Sequence, residues 1–231
     1  MNQEESIKTC IVIPVFNEAA VIRDVLEGVK KYGWSQILVV DDASGDKTSE
    51  EAGKVSGVQV FRHKVNRGKG AATKTGIEAA KLLNAAVIVT MDGDGQHDPG
   101  DIEKLARPIF AGKYDVALGT RLKSHQGMPK RKVLANYIGN ILTWLLYGIW
   151  VTDSQSGMRA YSIHAASMIR TKADRYEYES EVLREIHDQK LSYVEVPIKA
   201  IYTSYSMGKR HKQGFINGIR ALYKMIWNML S

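Results

Sequence analysis

A chain of 231 residues with 44% hydrophobic and 25% charged side chains has ordinary globular composition, which excludes disordered and fibrous structure and leaves room for a well-buried α/β core. Its 32 Lys and Arg against 25 Asp and Glu leave a formal charge of +7, which suits an anionic partner: nucleic acid, a phosphorylated substrate or an acidic membrane surface. The single Cys10 excludes an intramolecular disulfide and points to a reducing compartment, and the polar N-terminus with Glu4 and Glu5 is unlike a signal peptide.

In chain order, the apolar run 10–16 predicts a strand ending at Asn17, and Val21, Ile22, Val25, Leu26 and Val29 share one face of a helix. A second strand, 37–40, is cut off by Asp41-Asp42. A helix over 48–55, a strand over 58–61, a helix over 68–83 and a strand over 86–91 follow. Asp98-Pro99 has the form of a helix start, with Asp101 three residues after the cap, and Pro108 limits that helix near Arg107. A fifth strand covers 116–119. Beyond it come a basic loop, an apolar helix, the segment 153–161, a helix over 179–189, a strand over 193–197 and a final helix after Lys209-Arg210-His211-Lys212. Strands alternating with helices are the pattern of a parallel sheet in a single domain.

The apolar window 133–152 carries no charge but is interrupted by Asn136, Asn140 and Thr143, and its dense part, 141–151, falls short of the about 20 residues a membrane span needs. Trp144, Tyr147 and Trp150 are the aromatics of membrane–water boundaries. The segment reads as an interfacial helix or as a Trp-bearing core helix, with a true span as the lesser alternative.

Three strands end in acidic or amide groups: Asn17-Glu18, Asp41-Asp42 and Asp92-Gly-Asp94. Ligands of open parallel sheets bind outside the carboxyl ends of the strands, and carboxylates converging there need a cation or donors to offset their repulsion. In Asp92-Gly-Asp94-Gly-Gln96 two carboxylates two residues apart can hold one magnesium or manganese ion that takes its other ligands from water and substrate phosphates. Gln96 at the fifth position excludes a calcium EF-hand loop. Gly68-Lys69-Gly70 reads as a helix start, with a phosphate cradle as the lesser alternative, since neither a Walker motif nor a dinucleotide fingerprint is present. Arg62-His63-Lys64 reads as a solvated turn, and His97 as a hydrogen-bonded neighbour of the acidic motif.

Taken in order, Pro14-Val-Phe16-Asn17-Glu18, Val39-Val-Asp41-Asp42-Ala-Ser44-Gly-Asp46, Asn66-x-Gly68-Lys-Gly70, Met91-Asp92-Gly-Asp94-Gly-Gln96-His-Asp98-Pro99, Gly119-Thr-Arg121 and Ser156-Gly-x-Arg159 resemble the inverting family 2 glycosyltransferases of GT-A fold, in their dolichyl-phosphate mannosyltransferase branch, over about residues 9–200. The resemblance implies a Rossmann-like, mostly parallel sheet flanked by helices, with interfacial helices at the C-terminus. It implies a nucleotide-sugar-binding half over 9–125 and an acceptor and membrane-facing half over 126–231. Pro14, Phe16, Asn17 and Glu18 would line the base and ribose pocket, Asp42 would touch base or ribose, and Lys69 would belong to the substrate site. Asp92, Asp94 and Gln96 would hold the metal, Mg2+ or Mn2+, on the donor diphosphate. Arg121 and Arg131 would bind phosphate oxygens. Phe16 stands where the family often has Tyr, which keeps the stacking face and removes a hydroxyl.

The function so implied is transfer of a sugar from GDP-mannose or a UDP-sugar to a polyprenyl phosphate, a nucleophile largely ionised at pH 7 that needs positioning cations rather than a protein base. Arg121, Arg131, Lys209 and Arg210 supply those cations. A hydroxyl acceptor would instead require a base, and Asp153 is the candidate; otherwise it anchors the turn 156–159 or contacts the acceptor. A catalytically silent nucleotide-sugar-binding subunit of a membrane complex is the alternative of a different class. Nucleic acid is not an expected partner, because no recognisable module accompanies the scattered basic residues. The stripe Phe215, Ile219, Leu222, Ile226 and Leu230 reads equally as a core-packed or a membrane-facing helix, and the basic cluster 209–212 as a bilayer contact or a loop closing over donor phosphates; the expectation is a cytoplasmic protein, peripheral on the membrane or relying on a membrane-protein partner.

Overall fold

The computed structural model describes residues 3–121, 130–175, 177–201 and 205, without the side chains of 3 and 130–136. Strands β1 (Thr9–Val15), β2 (Gln36–Asp41), β3 (Val58–Arg62), β4 (Val87–Thr90), β5 (Val116–Thr120), β6 (Arg159–Ser162) and β7 (Tyr193–Pro197) form a sheet of order β3-β2-β1-β4-β6-β5-β7. All pairings are parallel except those of β6, which runs antiparallel to both β4 and β5. Strands from before and after residue 125 therefore share one mostly parallel sheet. The strand ends carrying Asn17, Asp42, Asp92 and Arg121 and the start of β6 at Arg159 all meet along one edge, since Thr90 pairs with Arg159. β6 lies outside the periodic signal because it is four residues long and opens on a charged residue.

The flanking helices are α1 (Gln3–Ile7), α2 (Ile22–Lys31), α3 (Thr48–Gly53), α4 (Lys69–Leu82), α5 (Ile102–Phe110), α6 (Lys130–Tyr147), α7 (Ile163–Met168) and α8 (Tyr178–Asp188). Alternate residues of β1 face opposite layers. Ile11, Ile13 and Val15 pack with α2, α3 and α5, whereas Cys10 and Val12 pack with α4, α8 and Tyr147. Pro14 is tolerated in this central strand because its ring nitrogen lies on the β4 side, where pairing has already stopped at Val12–Thr90. Helix α5 runs through Pro108 to Phe110, past the predicted stop, because a proline in the last turn forgoes only a single helical bond. Asp98 caps the short 3-10 turn Pro99–Asp101 by accepting from the Gly100 N–H at 2.9 Å, and the buried Asp101 receives the Lys199 N–H at 2.6 Å instead of closing back on the cap.

At Gly76, α4 packs directly against β1 and β2. A Cβ there would fall 2.2 Å from Val12 Cγ1 and 3.3 Å from Val40 Cγ2. Gly76→Ala is expected to destabilise the fold by about 1–3 kcal/mol through overpacking, read as a lower urea midpoint at unchanged m-value.

Candidate active site

The first two strand-end loops are bolted together. The Asn17, Glu18 and Ala19 N–H groups donate to Ser44 Oγ (2.9 Å), Thr48 Oγ1 (2.8 Å) and Asp46 Oδ2 (3.2 Å). Asn17, at φ +56°, turns its own carboxamide oxygen to the Gly45 N–H at 2.8 Å. Burial, the largest single influence, raises the Asp46 pKa, but the Thr48 hydroxyl and the Thr48 and Ala19 N–H groups together outweigh it and hold the carboxyl below its usual range. Thus Asn17 acts on loop geometry, while Phe16 and Glu18 stay half-exposed at the crevice; Glu18 Oε2 also accepts from the Tyr205 hydroxyl at 3.3 Å.

Asp42 is buried and occupied. Oδ1 receives His63 Nδ1 (2.8 Å) and the Arg67 N–H (2.9 Å), Oδ2 receives the Gly68 N–H (2.6 Å), and the Asn66 amide donates to its backbone carbonyl (3.1 Å). His63, far from a solvated turn, bridges Asp42 and Thr75, whose Oγ1 lies 3.0 Å from Nε2. Asp42, the carboxylate expected to touch base or ribose, sets the loop that delivers Lys69, the first residue of α4, into the crevice.

There the Lys69 ammonium lies 2.7 Å from Asp92 Oδ1 and 2.9 Å from Glu179 Oε1, and His97 Nε2 lies 3.5 Å from Asp92 Oδ2. Burial opposes the charge on Asp92, but the Lys69 ammonium, together with His97, more than offsets it and holds the carboxyl well below the carboxylate range. Burial likewise opposes the Lys69 charge, and Asp92 and Glu179 outweigh it, raising the ammonium well above its ordinary value. Gly157 closes the cluster from the turn before β6, where a Cβ would fall 2.5 Å from Asp92 Oδ1 and 2.6 Å from Lys69 Nζ. A small cavity lined by Pro14, Lys69, Asp92, Gly157 and Glu179 sits beside it.

Of the three residues expected to hold a metal, the structure joins two and engages the third elsewhere. Asp94 Oδ1 accepts from the Gln96 N–H (3.0 Å) and Oδ2 from the Gln96 amide (2.8 Å), whereas Asp92 is turned to Lys69. Among the described residues no group of three or more His, Cys, Asp or Glu is arranged around one point that could hold a metal. The half-exposed Asp94 carboxylate and Gln96 amide form an all-oxygen donor pair, which fits a hard divalent cation completed by water and substrate phosphates. After β7 the chain crosses this loop, with Ile198 N–H on the Thr120 carbonyl (3.0 Å) and Ile201 N–H on the Gln96 carbonyl (2.9 Å).

At the end of β5, Arg121 and Asp153 form a bidentate pair: Nε to Oδ2 at 2.7 Å and an Nη to Oδ1 at 2.8 Å, with the Arg121 N–H also on Oδ2 at 3.0 Å. Asp153 is buried, and Arg121 stays half-exposed at the crevice. Arg159 is fully inside, its guanidinium donating to the Ser154, Ser156 and Glu179 carbonyls at 2.9–3.1 Å, which holds the turn 154–159 against α8. Arg131 lies in the first turn of α6, with its side chain outside the described residues, as are Lys209 and Arg210. Sequence reasoning misses Asp46 and His63 as organisers and the pairing of Glu179 with Lys69. Asp46 lies 27 positions from Ala19, His63 21 from Asp42 and Glu179 110 from Lys69, too far for any local spacing to announce them.

The family model described as glycosyl transferase family 2 matches residues 10–169. A UDP-N-acetylglucosamine–dolichyl-phosphate N-acetylglucosaminyltransferase of Methanococcus voltae is 36% identical over 94% of both chains, and an uncharacterized protein of Methanocaldococcus jannaschii is 46% identical over 94% of this chain and 90% of its own. A polyprenol monophosphomannose synthase of Mycolicibacterium smegmatis is 28% identical over 90% of this chain and 82% of its own. In fold, the chain matches the glucosyl-3-phosphoglycerate synthase of Mycobacterium tuberculosis in complex with uridine diphosphate at a TM-score of 0.71 and 19% identity, covering 99% of this chain and 80% of that one. With the acidic strand ends gathered on one edge of a GT-A sheet, the chain belongs to glycosyl transferase family 2 and is a glycosyltransferase.

Proposed function

We propose that the protein transfers a sugar from a nucleoside diphosphate donor to a polyprenyl phosphate at a membrane surface, on its cytoplasmic face. The observation that carries the acceptor class is the engagement of the carboxylates along the site edge. Asp42 is filled by His63, Arg67 and Gly68, Asp92 is paired with Lys69, and Asp153 is gripped at both oxygens by Arg121. A hydroxyl nucleophile needs a base to take its proton, and Asp153, the carboxylate expected to serve, is held as the counter-ion of a guanidinium. A phosphate monoester, with a second pKa of about 6, arrives already ionised and needs only cations to seat it. Arg121, oriented by Asp153, is such a cation at the crevice.

Asp94 and Gln96 would hold the divalent cation, which when bound supplies charge stabilisation to the departing diphosphate. Lys69, Asp92 and Glu179 fix the floor of the crevice, and the bolted loops present Phe16 and Glu18 to the nucleotide. The relative from Methanococcus voltae, at 36% identity over nearly the whole chain, supports a uridine donor over a guanosine one.

The test is purified protein with Mn2+, supplied UDP- or GDP-sugars, and either polyprenyl phosphate or free saccharides. Transfer to the lipid phosphate from a UDP-sugar is expected, rising with pH as the acceptor ionises near about pH 6 and then level. Transfer to saccharide hydroxyls in its place would return Asp153 to the role of base.

A further inference from the structure

Helix α6 packs on the core through Tyr147, yet it also buries polar residues and exposes apolar ones. Its buried positions include Asn140 and Thr143, each 1% exposed, while Ile138, Ile141, Trp144 and Leu145 on the opposite stripe are 45–64% exposed. Trp150, just past the helix, is also exposed and meets Trp144 edge to face, with ring centroids 6.2 Å apart. The polar inner side is used: the Asn140 amide donates to the Thr152 carbonyl (2.6 Å), and its oxygen accepts the Ser154 N–H (2.9 Å). An apolar face turned to solvent over a hydrogen-bonded polar one marks a binding surface.

Charge selects the occupant. Residues 116–152 contain no Asp or Glu and five Lys or Arg, at 121, 123, 130, 131 and 132, and three of those open α6. A second copy docked through the same patch would bring two acid-free basic segments together, whereas an anionic bilayer offers both the apolar layer and the opposite charge. Trp and Tyr are the side chains that settle at such a boundary. We infer that the outer face of α6, with Trp150, seats the protein on an anionic lipid bilayer. The face is joined to the site through Asn140, which bonds the residues on either side of Asp153, so seating α6 brings Arg121 toward headgroup level. In purpose this rests on the lipid-phosphate reading; its test does not.

The experiment is flotation of the full chain with phosphatidylcholine vesicles, with and without phosphatidylglycerol, comparing wild type with Trp144→Ser/Leu145→Ser/Trp150→Ser. Wild type is expected to float with the anionic vesicles, and the triple variant to partition at least about tenfold less, from the apolar area withdrawn. Transfer to a short-chain, water-soluble prenyl phosphate should be equal in both. Equal flotation of variant and wild type, or wild type left at the bottom of the gradient, overturns the inference. So does a dimer in wild type that the variant dissolves, which would assign the face to a second copy. If neither protein uses the short-chain phosphate while flotation differs as stated, the lipid-phosphate function fails and the docking face stands.

Discussion

Asp94→Asn is expected to lower kcat/KM by about 10³-fold and leave the melting midpoint close to wild type. The amide keeps an oxygen for the Gln96 N–H, so the turn that Asp94 Oδ1 closes at 3.0 Å survives, while the charge that would bind a divalent cation is gone. Asp94→Ala should lose the same activity and a little stability, because the turn then lacks its acceptor. Thermal shift provides the second readout. Mn2+ with uridine diphosphate stabilises only a native state that binds them, so the shift seen in wild type should vanish in Asp94→Asn. Full activity, or an undiminished shift, would remove the cation from the mechanism and leave the Asp94–Gln96 contact as loop structure.

Lys69→Met should do the reverse, damaging fold and function together. It leaves Asp92 and Glu179 facing each other without the ammonium that lies 2.7 and 2.9 Å from them. Stripping one partner from a fully buried ion pair costs about 3–5 kcal/mol; solvent reaches part of this cluster, so about 2–3 kcal/mol is expected. The dependence on pH identifies the cause. In wild type the Asp92 carboxyl is held low, so its contribution is intact above the ordinary aspartate pKa of about 3.9 and fades as pH falls below it. Lys69 is held high, so its contribution is intact below about 10.4 and fades only as pH rises beyond. Without Lys69, burial dominates at Asp92 and favours the protonated acid, so the variant should gain stability as pH drops from about 7 to 5 while wild type stays level there. Parallel pH profiles for the two proteins would show that the cluster is not coupled in this way.

Much of the molecule is written locally. Short apolar runs closed by Asn17, Asp41 and Asp92 announce strands whose ends carry polar chemistry, and the structure places those ends on one edge. The order of motifs from Pro14 to Arg159 leads to the same family that the model match over 10–169 shows. What spacing could not convey is how the acids are shared. Asp42, Asp92 and Asp153 look alike in sequence, each an acidic residue beyond an apolar stretch. Their partners His63, Lys69 and Arg121 come from other elements, 21, 23 and 32 positions away.

Strand and helix periods are set by neighbours a few residues apart, so composition and motif order by themselves determined the α/β class, the site edge and the family. Which carboxylate stays near the crevice with Gln96 and which are bound by a Lys, an Arg or a His depends on contacts between segments far apart in the chain. Only the packed sheet decided that, because the energy of an ion pair depends on separation and burial, and neither exists until the strands are side by side.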